Sequence, residues 1–200
     1  MNFLTDVSKL IKTIELRQEP IIIVVNEFNE EAATEFAAAI SLSQNTGQKV
    51  IPVVIDSFGG QVYSLMSMIS SIKSSKIPVA TIVQGKAMSC GAILSSFGED
   101  GLRFMDKDAT IMIHDVSSFA FGKIEELKSD VRESERLNKK VYQMMARNCG
   151  KPDDYFTKLI HDKGHADWFL DAEEAKEHNI AQHLRVPCLK AKVSVEIDLE

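Results

Sequence analysis

The sequence predicts an α/β protein built on a largely parallel sheet. Short runs of β-branched residues end in Gly- or Ser-bearing turns, and helical repeats alternate with those runs, the mark of a βαβ layout. The 200 residues are 44% hydrophobic and 26% charged, enough to bury a substantial core and read as one domain over 1–200. Disorder, collagen and a disulfide-stapled mini-protein are excluded by the same figures.

Ile21–Val25 is a β-branched run bounded by Pro20 and Asn26, the pattern of a buried strand. Glu30 to Ser43 carries Ala33, Phe36, Ala37 and Ile40 at helical spacing and stops before Gly47. Val50–Ile55 gives a second apolar strand, ending at Asp56-Ser57-Phe58-Gly59-Gly60, and Gln61–Lys73 a second helix. A third strand is expected over Pro78–Val83, ending at Gln84-Gly85, then a small-residue helix over Met88–Ser96 and a fourth strand over Ala109–His114. A long amphipathic helix covers about 123–148. Its single seam (Ile124, Leu127, Val131, Leu137, Val141, Met144, Met145) fits either a partner surface or a helix lying across its own core. Helical patterns recur over Asp153–Ile160 and Ala172–His178, and Val193–Ile197 alternates like an edge strand or a frayed tail.

Charge and cysteines narrow the function. Lys+Arg is 23 against Asp+Glu 29, a net charge of −6 without a basic stripe, which excludes a nucleic-acid partner. The three cysteines, Cys90, Cys149 and Cys188, form neither a C-x-x-C pair nor a disulfide framework, as suits a reducing compartment. Charged residues interrupt the first sixteen positions, and the longest apolar run is five residues, Ile21–Val25. No signal peptide, membrane partner or membrane span is expected, and a cytoplasmic location is.

Sites in such sheets gather at the carboxyl ends of parallel strands. One end carries Gly59-Gly60 running into a helix, where backbone N–H groups approach a ligand and can serve an oxyanion. A second carries Ser89 at the opening of a helix beside Cys90, a nucleophile turn in physical logic, although a lone Ser there is equally a helix cap. A third carries His114, then Asp115. Together they offer nucleophile, base and anion donors for acyl transfer, with activity lost at acid pH as the base protonates. Rival chemistry is weaker. His161 and His165 echo the H-E-x-x-H zinc helix, but Gly164 lies between them, the acid is Asp162, and no third ligand is evident. Lys86, three residues before Ser89, is poorly placed as the base of a Ser-Lys pair. His178 and His183 are expected at the surface, and Cys90 as a buried small residue rather than a reactive thiol.

Four segments in order resemble the proteolytic subunit of the Clp protease, the ClpP family of serine peptidases. Asp56-Ser57-Phe58-Gly59-Gly60 resembles its N-S-P-G-G turn and Ala87-Met88-Ser89-Cys90-Gly91-Ala92 its A-A-S-M-G-A segment. Met112-Ile113-His114 matches its M-I-H strand end, and Asp167-Trp168-Phe169-Leu170 followed by Ala172-Glu173-Glu174-Ala175 its D-R-F-L…A-x-E-A segment. The likeness runs from about Ile21 to Gln182.

It implies a ClpP/crotonase-like spiral of βαβ units with a long handle helix. It also implies Ser89 as nucleophile, His114 as general base and Asp167 as the carboxylate orienting the imidazole, ahead of Asp115 and Asp162. Backbone N–H groups of Gly59 and Cys90 would hold the oxyanion, with Gly60 at the substrate; no metal and no cofactor are implied. The expected activity is endopeptidic hydrolysis of unfolded or delivered polypeptide inside a ring-shaped chamber. The rings would be heptamers or double-ring tetradecamers paired through the long helix and fed by an ATP-dependent unfoldase. Pro52 and Val54 replace the family's pocket aromatics, which implies a divergent or phage-type member. The competing readings are a non-catalytic scaffold or regulatory ring subunit, and a related serine peptidase for phage capsid maturation or signal-peptide digestion.

Overall fold

The computed structural model describes residues 19–117 and 121–190. Seven strands form one sheet: β1 (Ile23–Val25), β2 (Ile51–Ser57), β3 (Val79–Met88), β4 (Arg103–Met105), β5 (Thr110–Ile113), β6 (Trp168–Leu170) and β7 (His183–Leu184). Among the described residues six helices alternate with them: α1 (Glu30–Ser43), α2 (Val62–Ser74), α3 (Cys90–Ser95), α4 (Ile124–Asn148), α5 (Tyr155–Asp162) and α6 (Ala172–Glu177). The order β1-β2-β3-β4-β7 is parallel throughout. β5 pairs in parallel with the far half of β3 and antiparallel with β6. The architecture is thus the expected α/β fold with a parallel-dominated sheet.

Local chemistry sets the boundaries. Asn29 caps α1 by accepting the Ala32 N–H at 2.8 Å, and Asp171 caps α6 in a reciprocal capping box with Glu174. One apolar core runs between sheet and helices, with Ile51, Val53, Ile55, Met105, Ile111, Met145 and Phe156 wholly buried. Arg103 is buried too; it donates to the Gly98 carbonyl at 3.2 Å, and a side chain on Gly98 would collide with it.

Several expectations change. The third strand does not stop at Val83. The β2–β3 pairing shifts register between Ile55 and Ser57, and β3 continues through Gln84-Gly85 to Met88. Gly85 marks an irregularity where the Asp56 side chain crosses close to the backbone, not a strand end. The following helix therefore starts at Cys90 rather than Met88. Strands β4, β6 and β7 add to the four that the sequence pattern predicts. The Val193–Ile197 tail lies outside the described residues.

Helix α4 divides in two. Its second half lies on the core through Leu137, Val141, Tyr142, Met145 and Ala146, while Ile124 and Val131 in its first half are exposed. Among the described residues, no helix is long and apolar enough to cross a membrane.

Candidate active site

Strand β3 delivers Ser89. The strand ends at Met88, α3 begins at Cys90, and Ser89 between them adopts φ 54°, ψ −117°. A non-glycine residue in that region stores on the order of 1–3 kcal/mol of strain and persists only where its surroundings over-determine it. Here the Ser89 N–H donates to the Met112 carbonyl at 2.8 Å, continuing the β3–β5 ladder one step past Met88↔Met112. On the other side sits Gly59, at φ +100°, so close that a Cβ there would lie 2.7 Å from Ser89 Cβ and 2.9 Å from the Met88 carbonyl. The turn is a strand–serine–helix elbow held from two directions.

Strand register also places the other two residues. β5 runs parallel to β3 and leaves His114 just beyond Ile113, on the flank of Ser89. β6 runs antiparallel to β5 with Ile113 opposite Trp168, so one further step of the ladder sets residue 114 opposite residue 167. His114 Nδ1 is 3.4 Å from Asp167 Oδ1. The rival carboxylates are engaged elsewhere. Asp115 accepts from the Tyr142 hydroxyl at 3.2 Å and pairs with His165 Nδ1 at 2.6 Å. Asp162 is largely exposed, 3.9 Å from His161.

A cleft lined by Gly60, Ser89, Cys90 and His114, with Leu65 and Val141 as apolar wall, opens over these groups. Gly60 is held by a parallel bridge to Phe28, whose carbonyl would sit 2.5 Å from a Cβ at Gly60. Gly59, expected as an oxyanion donor, spends its N–H on Ser57 Oγ at 3.0 Å. The glycine that lines the cleft is Gly60. Cys90 opens α3, where backbone N–H groups lack intrahelical acceptors. Its thiol is buried, donates to the Gly60 carbonyl at 3.2 Å, and is pushed up to about 11 by burial. That is the character of an inert structural thiol.

Lys86 points away from any role as base: its ammonium pairs with Asp56 at 2.8 Å and lies over the Phe58 ring, 4.4 Å from the centroid. His161 and His165 do not share a helical face. Gly164 (φ +70°) and His165 (φ +57°) are both left-handed, and the helix stops at Asp162. The two histidines expected at the surface are partly buried. His178 meets the Tyr155 hydroxyl at 2.8 Å and the Trp168 ring edge-on, and His183 stacks on Phe104 from β7. Their polar neighbours carry no helical or strand periodicity to reveal this.

In this parallel-dominated α/β fold, a strained serine at a strand end with a histidine–aspartate pair beside it is an arrangement that can support acyl transfer. A family model described as Clp protease matches residues 7–185, and the chain belongs to that family. It is a ClpP-like peptidase by class.

Proposed function

We propose that the protein is a serine endopeptidase acting on unfolded or delivered polypeptide through an acyl-enzyme. The observation that carries this reading is the left-handed Ser89 elbow, packed on Gly59 and bonded to Met112 alongside the His114–Asp167 pair. Ser89 Oγ attacks the scissile carbonyl as His114 takes its proton. Asp167 at Nδ1 holds the ring so that Nε2 faces the serine, and stabilises the imidazolium that forms. The amides of Gly60 and Cys90 receive the oxyanion, Gly59 acting instead as the spacer that lets the two segments touch. His114 then returns the proton to the leaving amine, and water cleaves the ester by the same route in reverse.

Self-association into rings, heptameric or paired, completes the proposal. Its support is exposed apolar side chains among the described residues: Ile124 and Val131 on the first half of α4, Val24 in β1 and Ile22 just before it. An ATP-dependent unfoldase as feeding partner and a cytoplasmic location belong to the same reading.

The test is intact-mass analysis after treatment with a fluorophosphonate, wild type beside Ser89→Ala. One adduct on the wild type and none on the variant is the expected result. An unlabelled wild type in intact rings would overturn the catalytic assignment and favour a scaffold subunit.

A further inference from the structure

A second histidine–carboxylate pair lies beside the first, between the same two chain segments. Asp115 follows His114 at the exit of β5, and His165 precedes Asp167 by two residues in the turn between α5 and β6. Neighbouring residues on an extended chain point apart, so the Asp115 carboxylate leaves the Ser89 cleft. One oxygen accepts the hydroxyl of Tyr142, a buried residue of α4, at 3.2 Å, and the other meets His165 Nδ1 at 2.6 Å. Burial and the Asp115 carboxylate both push the Tyr142 phenol upward, keeping its proton available to donate. A further bond, from the Val116 N–H to Asn138 Oδ1 at 2.6 Å, fastens the same stretch to α4.

We propose that Asp115 and His165 are positioning residues that hold the Asp167 carboxylate on His114, an inference that rests on the Ser89–His114–Asp167 reading above. Asp167 does not anchor itself. Its side chain is 56% exposed, and its contact with His114, 3.4 Å, is longer than the 2.7–2.9 Å of a firm charge-assisted bond. Upstream, the Gly164 N–H donates to the His161 carbonyl and the His165 N–H to Ile160, which pins the turn to the end of α5. The Asp115–His165 contact, 2.6 Å, ties that turn to β5 one residue from His114; the His165 ring is as exposed as Asp167, but Asp115 is itself held by the buried Tyr142 hydroxyl. Only Ala166 separates the tie from Asp167. The loop position of the orienting carboxylate is therefore fixed from Tyr142 through Asp115 and His165. A misplacement of about 1 Å in such a group costs on the order of 100-fold in rate, so a partial loosening costs less.

The experiment measures the rate at which a fluorophosphonate phosphonylates Ser89, with kcat and KM on an unstructured peptide, for assembled full-length protein. His165→Ala is expected to slow phosphonylation roughly tenfold and lower kcat with KM held within about twofold. His165→Asn keeps an N–H donor near the Nδ1 position and tolerates the left-handed backbone, so it restores the rate to within about threefold of wild type. Asp115→Asn, which turns an acceptor into a donor facing His165, repeats the His165→Ala loss and serves if that variant folds poorly. In an Asp167→Ala background, His165→Ala should add less than about a twofold change, because its effect runs through Asp167. Full additivity there, or a wild-type rate for His165→Ala while Asp167→Ala is crippled, overturns the positioning role and leaves the triad standing. An Asp167→Ala protein as fast as wild type instead overturns the triad reading itself.

Discussion

Gly59→Ala tests the elbow more sharply than removal of any catalytic side chain. The added Cβ lands 2.7 Å from Ser89 Cβ and 2.9 Å from the Met88 carbonyl. Ordinary carbon–carbon contact begins near 3.5 Å, so the two segments must part by about 1 Å. A displacement of about 1 Å at a reacting centre costs on the order of 100-fold in rate. The variant also carries backbone strain at φ +100°, about 1–3 kcal/mol, which in a chain of this size lowers Tm by roughly 2–4 °C per kcal/mol. Gly101→Ala separates the two effects, because Gly101 has φ +81° and nothing lies within 4 Å of where its new methyl would sit. The assay is the fluorophosphonate phosphonylation rate alongside thermal melting. Gly101→Ala should lose Tm and keep its rate within about twofold, while Gly59→Ala, whose Cβ also collides, loses more Tm and at least about 100-fold in rate. A folded Gly59→Ala protein that is phosphonylated within about threefold of the wild-type rate would refute the idea that this contact sets the position of Ser89.

Two further outcomes follow from buried groups. The Cys90 and Cys149 thiols are pushed up to about 11 and about 12 by burial, whereas Cys188 is exposed. Brief maleimide treatment at pH 8 should therefore add one label to the native protein, at Cys188, and three in denaturant; a native label mapped to Cys90 would contradict the burial of the elbow. Burial, with Lys151 nearby, holds His178 below the ordinary imidazole value. The unfolded chain then takes up this proton first, so the stability that neutral His178 contributes is present above about pH 6.5 and lost as pH falls. Melting curves between pH 5 and 8 should show Tm falling more steeply on acidification in wild type than in His178→Gln; equal slopes would remove His178 from the acid response.

What can be read from the sequence follows from where the stabilising contacts lie along the chain. β1, β2 and β5 stand out because each is an apolar run whose signal is local. β4, β6 and β7 have three, three and two residues, and exist because β3, β5 and β4 present them with a ladder. Arg103, buried in β4, breaks the apolar pattern that would have exposed that strand. Ser89 and His114 are legible because each sits where a strand signal stops. Asp167 is reachable only through family resemblance, since the β5–β6 pairing that carries it to His114 joins residues more than fifty apart. The paired glycines are legible as an anion turn, but which amide is free depends on the Ser57 hydroxyl, which accepts the Gly59 N–H. No spacing rule encodes that choice.

The same contrast bears on how the site is held together. His114 and Asp167 are partly open to solvent, and an ion pair in that setting contributes at most about 1 kcal/mol. Their alignment therefore starts from the main chain, with the β3–β5 ladder for Ser89 and His114 and the β5–β6 ladder for His114 and Asp167, and the proposed Asp115–His165 tie adds only the last restraint on the Asp167 loop. Both ladders share β5, and β5 leaves the sheet straight into the Asp115–Tyr142 and Val116–Asn138 bonds to the buried half of α4. The exposed half of that helix is the surface proposed to meet another ring. A shift of α4 on assembly would therefore act on β5's exit before it reached any catalytic side chain, and the geometry most exposed to such a shift is the His114–Asp167 contact rather than the Ser89 elbow, which Gly59 and Met112 hold independently of α4.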